Sequence, residues 1–201
     1  MTAKRYDRAY FDKWYRSRRH AIGSRTDLAR EVAFAVAATE VFLARPLRSV
    51  LDVGAGEGRW QPALHRIRPG VRYAGVDSSE WAVAQWGRRR NLRHAEIDAL
   101  DQAGLSGPFD LLVVADVLHY VPTQTLRRAA TQLAAFIGGL AYMPTFTTTD
   151  ASAGDHVGFQ RRTAPTYRRI LGEAGIRPIG MHLWTTDDRF PQLSELERAS
   201  T

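Results

Sequence analysis

The sequence predicts an α/β fold, an open and mostly parallel doubly wound sheet of six or seven strands with helices on both faces. Three observations carry that prediction. Aliphatic runs of strand length alternate along the chain with segments whose apolar residues recur at helical spacing. The first run, Val50 to Val53, empties into Gly54, Gly56 and Gly58, with Pro62 in the first turn of the helical pattern that follows. Later runs each finish beside an acid, at Asp77, Asp98 and Asp116. In open α/β sheets the ligand crevice lies outside such strand ends.

Residues 4 to 20 come first, aromatic and charged, with Tyr6, Tyr10 or Phe11, and Trp14 at helical intervals. Ile22-Gly23-Ser24-Arg25 reads as a break, and Thr26 with Asp27 as the N-cap of a helix whose inner face runs through Leu28, Val32, Val36, Thr39 and Leu43. Residues 1–45 are thus an N-terminal helical segment, and 46–201 the core of a single domain. Strand one ends at Val53; its helix carries Leu64 and Ile67 and stops at Pro69-Gly70. Val71 to Val76 is strand two, Glu80 to Arg90 a helix, Leu92 to Ile97 a short strand three, and Leu111 to Val114 a central strand four.

Beyond it, Thr123 caps a helix through Leu126, Ala130, Leu133 and Ile137, stopped by Gly138-Gly139. Leu140 to Phe146 reads as strand five, 147–163 as a long polar loop, Pro165 to Ala174 as a helix, and 176–184 as strand six. A seventh strand is not evident in Asp187 to Thr201.

Composition narrows the classes. The 201 residues are 44% hydrophobic and 24% charged, which suits a globular protein with a sizeable core. No apolar run approaches the roughly 20 residues of a membrane span, and the first residues hold no apolar signal core, so a cytoplasmic protein is expected. There is no cysteine, which excludes disulfides, thiolate metal sites and any cysteine nucleophile. The net charge of +7 invites a nucleic-acid reading. Against it, the basic residues other than Lys4 and Lys13 are all arginine, and Arg88-Arg89-Arg90, Arg161-Arg162 and Arg168-Arg169 are short and scattered, so nucleic acid is not favoured as a partner.

Glycine spacing separates two kinds of ligand. A dinucleotide site wants Gly-x-Gly-x-x-Gly, with a pyrophosphate resting on a helix N-terminus. The pattern here is Asp-x-Gly-x-Gly-x-Gly, from Asp52 to Gly58. Together with Asp77, Asp98 and the segment Asp116-Val117-Leu118-His119-Tyr120, each after a predicted strand, it resembles the class I S-adenosylmethionine-dependent methyltransferases of the small single-domain type, over residues 48 to 122. An NAD-dependent dehydrogenase is disfavoured by the same spacing.

The resemblance implies a Rossmann-like fold, S-adenosyl-L-methionine as cofactor and S-adenosyl-L-homocysteine as product. It implies that Gly54, Ala55, Gly56, Gly58 and Trp60 border the methionine moiety, with Asp52 supporting the turn or the donor's ammonium. Asp77 with Ser78 would take the ribose, Asp98 with Ala99 the adenine, and Asp116 the wall beside the sulfonium. Each acid has a plainer reading as a turn or cap residue. The N-terminal helix would close over the donor through Tyr10, Trp14 and Tyr15, or simply pack on the domain.

Methyl transfer from a sulfonium is an in-line displacement that asks the protein mainly for positioning, and for a base when the acceptor is a hydroxyl or an ammonium. His119 is the first candidate base, with Tyr142, His156 and Tyr167 as alternatives; as a plain wall residue His119 would serve equally well. Arg161 and Arg162 would suit an anionic group on the acceptor. The missing cysteine excludes methylation at pyrimidine C5, and Ala115-Asp116-Val117-Leu118 lacks the Pro-Pro-aromatic form used on adenine or glutamine amides. No acidic or histidine cluster suggests a metal. The favoured function is methylation of an oxygen or nitrogen of a small molecule, by way of the 147–163 loop. The alternatives are an RNA or protein methyltransferase, and a cofactor-binding subunit without activity.

Overall fold

A computed structural model describes residues 6–17, 24–151, 155–196 and 198. Seven strands form one sheet: β1 (Ser49–Val53), β2 (Arg72–Asp77), β3 (Leu92–His94), β4 (Phe109–Val113), β5 (Ile137–Tyr142), β6 (Ile176–Gly180) and β7 (Leu183–Thr186), in the spatial order β3-β2-β1-β4-β5-β7-β6. The first five are parallel, and β7 runs antiparallel to both of its neighbours. Because β1 lies between β2 and β4, the winding reverses beside it, and the crevice of the sheet opens at the ends of β1 and β4.

Alternation along the buried strands builds two cores. Leu51, Val53, Leu112 and Val114 face one side, where α5 (Thr123–Phe136) supplies Leu126 and Leu133 and α6 (Ala164–Glu173) supplies Tyr167 and Ile170. Val50, Leu111 and Val113 face the other, against Val32 and Val36 of α2 (Arg25–Leu43) and Leu64 of α3 (Trp60–Ile67), with Val83 and Trp86 of α4 (Glu80–Arg90) at its border. Among the described residues no helix is long and apolar enough to cross a membrane.

Four local expectations are corrected. The stretch 176–184 is a hairpin instead of one strand, because Met181 and His182 adopt φ of 48° and 64° and turn the chain without the glycine that normally marks such a turn. That hairpin supplies the seventh strand. Gly138 and Gly139 lie inside β5 and do not stop the preceding helix. A Cβ at Gly139 would stand 2.5 Å from the Asp110 carbonyl oxygen, so these glycines permit close approach of β5 to β4 beside an irregularity in their register. The N-cap of α2 is Ser24, joined to Asp27 in a reciprocal capping box, and not Thr26. Strand three stops at His94, short of Ile97, which changes which acid stands at its exit.

Candidate active site

A cavity of about 420 Å³ opens at the carboxyl ends of β1, β2, β3 and β4, within the range of small-molecule sites. Its floor is the glycine turn. Gly54 has φ +72° and Gly56 φ +54°, left-handed values closed to most residues. The Gly54 and Ala55 N–H groups donate to the Val76 carbonyl at 2.8 and 3.0 Å, folding the turn across the tip of β2. A Cβ on Gly54 would stand 2.3 Å from Val117 Cγ2, and one on Gly56 would stand 3.3 Å from the Phe11 ring. The turn is therefore pressed between the segment after β4 and the N-terminal segment.

Asp77 fastens this arrangement. Its Oδ2 accepts from the Gly56 N–H at 2.6 Å and its Oδ1 from the Ser79 N–H at 2.8 Å, while the side chain lines the cavity at 9% exposure. Burial raises its pKa above the ordinary carboxylate value, and the two N–H donors oppose that rise. Asp52, at 2% exposure, accepts the Tyr73 hydroxyl at 2.7 Å beneath the turn. Its burial pushes the carboxyl up to about 7 against the lowering effect of that hydroxyl.

The N-terminal segment roofs the cavity. α1 (Arg8–Phe11) passes into a π-helical turn over Asp12–Arg16, a form found mostly as single turns at functional places. Phe11 is 2% exposed and stacks on Trp81 at 5.1 Å. Arg16 pairs with Glu57 of the glycine turn, and the Ser79 hydroxyl donates to the Tyr6 carbonyl at 2.5 Å. Tyr10, Trp14 and Tyr15 all line the cavity.

The exit of β4 forms the opposite wall. Asp116 holds φ +59°, uncommon for a residue with a side chain, and its N–H donates to the Pro144 carbonyl at 3.1 Å. Surrounding protein raises its pKa, and His182 acts the other way. His119 is 2% exposed among Tyr120, Phe146 and Phe159, whose ring centres lie 4.3, 5.2 and 5.1 Å away. His156 lines the cavity beside Phe159.

A family model described as "Methyltransferase domain" matches residues 15–179. The chain belongs to this methyltransferase-domain family. A search of curated proteins finds no match. Among solved structures, the domain is similar to the sugar N-methyltransferase KedS8 from Streptoalloteichus at 20% identity, with 89% of this chain and 87% of that one covered and a TM-score of 0.66. It is similar to DesVI from Streptomyces venezuelae at 16% identity, covering 79% and 90%, TM-score 0.62. Magnesium protoporphyrin IX methyltransferase from Synechocystis, crystallised with bound SAH, aligns at 19% identity over 85% and 86%, TM-score 0.60. These likenesses bear on the fold.

Within this methyltransferase domain the structure gathers most of the sequence-predicted residues and leaves Gly58, Asp98, Ala99, Tyr142 and Arg162 out of the cavity lining. Asp52, Gly54, Ala55, Gly56, Trp60, Asp77, Ser78, Asp116, His119 and His156 line one cavity. Gly58 is adjacent but turns towards Leu92 and Arg90. Asp98 and Ala99 do not line it: Asp98 accepts from Arg128 of α5 at 2.7 and 3.0 Å, and Ala95, Glu96 and Ile97 stand at the exit of β3 in their place. Tyr142 is 6% exposed one layer back, packed on Trp60 at 5.7 Å, and burial pushes its hydroxyl up to about 12. Arg162, expected to face an anionic acceptor, is 5% exposed and donates inward to Thr123 Oγ1 and to the Leu118 and Val121 carbonyls.

Sequence reasoning missed Asp27, Glu31 and Arg59, which also line the cavity. The two acids lie on the outer turns of α2, where charged residues ordinarily meet water. Only the distance at which α2 packs from the turn brings them to the site, and no local pattern encodes that.

Proposed function

We propose that this chain transfers a methyl group from S-adenosylmethionine to an oxygen or nitrogen of a small molecule by in-line displacement. The observation that carries the reading is the continuity of one cavity from Asp77 and the glycine turn to the wall of Asp116 and His119. A nucleoside whose ribose hydroxyls donate to Asp77 would run along the turn with its charged tail beside Arg59 and Asp52. Ile97 and Val121 offer apolar faces to its base, with Glu96 in the part expected of Asp98.

The residues fit such a group on steric grounds as well. The left-handed glycines let the turn lie close beneath Val117 and Phe11, and Phe11 and Tyr15 line the cavity from the N-terminal side. When bound, the cofactor supplies a methyl carbon already activated by its sulfonium. The chain then has to hold donor and acceptor in line, which the aromatic roof and the glycine floor would do by restricting both. His119 and His156 line the cavity and would orient the acceptor, His119 being packed among aromatic rings.

A thermal-shift comparison tests the reading. S-adenosylhomocysteine at 100 times its Kd should stabilise the protein by about 2.7 kcal/mol, roughly 5–11 °C for a chain of this size, while NADH at the same concentration leaves the midpoint unmoved. A shift with NADH and none with S-adenosylhomocysteine would overturn it.

A further inference from the structure

His119 is framed by three segments that lie apart in the chain: its own 3-10 turn after β4 (Leu118–Tyr120), the exit of β5 that carries Phe146, and the segment 155–162 that carries Phe159. One residue ties all three together. Arg162 donates from Nη1 to the Leu118 carbonyl at 3.2 Å and from Nη2 to the Val121 carbonyl, so its fork spans the end of the turn, and from Nε to Thr123 Oγ1 at 3.1 Å where α5 begins. Its own carbonyl accepts from the Thr148 N–H at 2.9 Å, two residues beyond Phe146. Two further bonds close the same joint. The Gln160 N–H donates to the His119 carbonyl at 2.7 Å, and the Tyr120 hydroxyl donates to the Asp155 carbonyl at 2.6 Å. A helical turn leaves its last carbonyls without partners of its own, and here the segment 155–162 supplies them.

The choice of a guanidinium for this joint asks for a reason. Arg162 is 5% exposed, and among the described residues no carboxylate pairs with it; its partners are neutral oxygens, with Tyr167 Oη the fourth at 3.4 Å. A buried charge without a counter-ion is costly. Packing alone would be served as well by an apolar side chain of similar volume. What the guanidinium adds is a planar fork that holds several acceptors at set distances. The two carbonyls it holds flank His119 and Tyr120 in the chain, and the His119 ring lines the cavity with the Phe146 and Phe159 ring centres 5.2 and 5.1 Å from its own. The neighbouring Arg161 is exposed, so the inward course belongs to position 162 alone of the pair.

We propose that Arg162 is a positioning residue for methyl transfer: by clamping the Leu118–Val121 turn to the segments of Phe146 and Phe159, it sets where the His119 ring stands against the acceptor. This rests on the methyl-transfer reading above and adds to it the residue that holds the acceptor wall in place. Arg162 lies outside the cavity lining, so it reaches the acceptor only through His119 and its neighbours. The donor side is fixed separately, by the bonds of Asp77 to the Gly56 and Ser79 N–H groups. Loss of the clamp therefore acts on the acceptor and spares the donor. A misplacement of about 1 Å, even from a change remote from the chemistry, can lower turnover roughly 100-fold.

The test uses the full chain with 13C-labelled histidine, saturated with S-adenosylhomocysteine and kept well below the melting midpoint of each variant, so that only folded protein is read. The His119 signal is identified among those of the six histidines by its loss in His119→Gln. Arg162→Lys keeps the buried charge without the fork. Thr123→Val removes one partner of the guanidinium and leaves both carbonyls bound, and it decides the matter where Arg162→Lys folds poorly. Both variants should move the His119 signal, Arg162→Lys the further, with the signals of His65 on α3 and His94 on β3 in place. Methyl transfer from S-adenosylmethionine to the best acceptor in a panel of amines, alcohols and phenols should fall roughly ten- to 100-fold in Arg162→Lys at saturating donor, with the Kd for S-adenosylhomocysteine unchanged. A merely structural arginine would lower the melting midpoint of the variants and leave the His119 signal and the turnover of the folded protein as in the parent, and that result would overturn the proposal. A loss of S-adenosylhomocysteine affinity as large as the loss of turnover would also overturn it, by placing the effect on the donor. Failure of the parent protein to bind S-adenosylhomocysteine at all would be a different result, removing the methyl-transfer reading and this role with it.

Discussion

Asp77 Oδ2 accepts a hydrogen bond of 2.6 Å from the Gly56 N–H, so the tip of β2 and the glycine turn hold each other. The other carboxylate oxygen accepts from the Ser79 N–H, and the Ser79 hydroxyl both caps α4 and donates to the Tyr6 carbonyl. One side chain thereby connects the floor of the cavity, the first turn of a helix and the roof. Each oxygen keeps a lone pair for a ligand hydroxyl.

The roof should be separable from the rest. Phe11→Ala removes the ring that lies between Trp81 and Gly56, and buried Phe→Ala changes cost about 3–5 kcal/mol. Because the roof is a short segment, the loss should appear as local opening before global unfolding. Limited proteolysis should cut the N-terminal segment faster, and S-adenosylhomocysteine should dissociate at least tenfold faster, with the global melting midpoint little changed.

Gly54→Ala forces a side chain into a left-handed conformation, which costs about 1–2 kcal/mol, and into the Val117 methyl. The melting midpoint should fall by roughly 2–8 °C in scanning calorimetry. Adding Val117→Ala should recover only the steric part.

Arg162→Met strands the Leu118 and Val121 carbonyls inside the protein. At about 1–3 kcal/mol for each of the two unsatisfied buried groups, the loss should be about 2–6 kcal/mol by denaturant titration. Arg162→Lys should recover little, since an ammonium cannot reach the same set of acceptors. Arg161→Ala, at an exposed position, should be silent.

Much of this was legible beforehand, for identifiable reasons. The aliphatic runs and the glycine turn are local patterns, and the sheet through β5 and the acids Asp52, Asp77 and Asp116 followed from them. The hairpin at Met181-His182 was not legible because its left-handed residues carry no glycine signature. Asp98 was misplaced because β3 ends early and Arg128, thirty residues later, claims the carboxylate. Glu31, Arg59 and the inward Arg162 depend on how whole helices and loops are docked, which spacing along the chain does not record.

Asp52 gives the stability a pH dependence of known sign. Its carboxyl is raised from an ordinary value near 4 to about 7 in the folded chain, so between those values the folded state holds more protons than the unfolded. Its stabilising contribution is complete below about pH 4 and is lost as pH rises through about 7. Asp52→Asn keeps an acceptor for the Tyr73 hydroxyl and removes the titration. Melting curves across pH 4 to 8 should therefore show the variant gaining on the parent as pH rises; a constant difference would refute the assignment.

The most direct measurement is calorimetric titration of S-adenosylhomocysteine into the parent protein and into Asp77→Ala, with NADH as control. Saturable binding by the parent, weakened tenfold or more in the variant and absent for NADH, is the predicted result, since the change deletes one or two charge-assisted hydrogen bonds to the ribose. Equal affinity in parent and variant, or no binding by the parent, would contradict the placement of the methyl donor across Asp77 and the glycine turn.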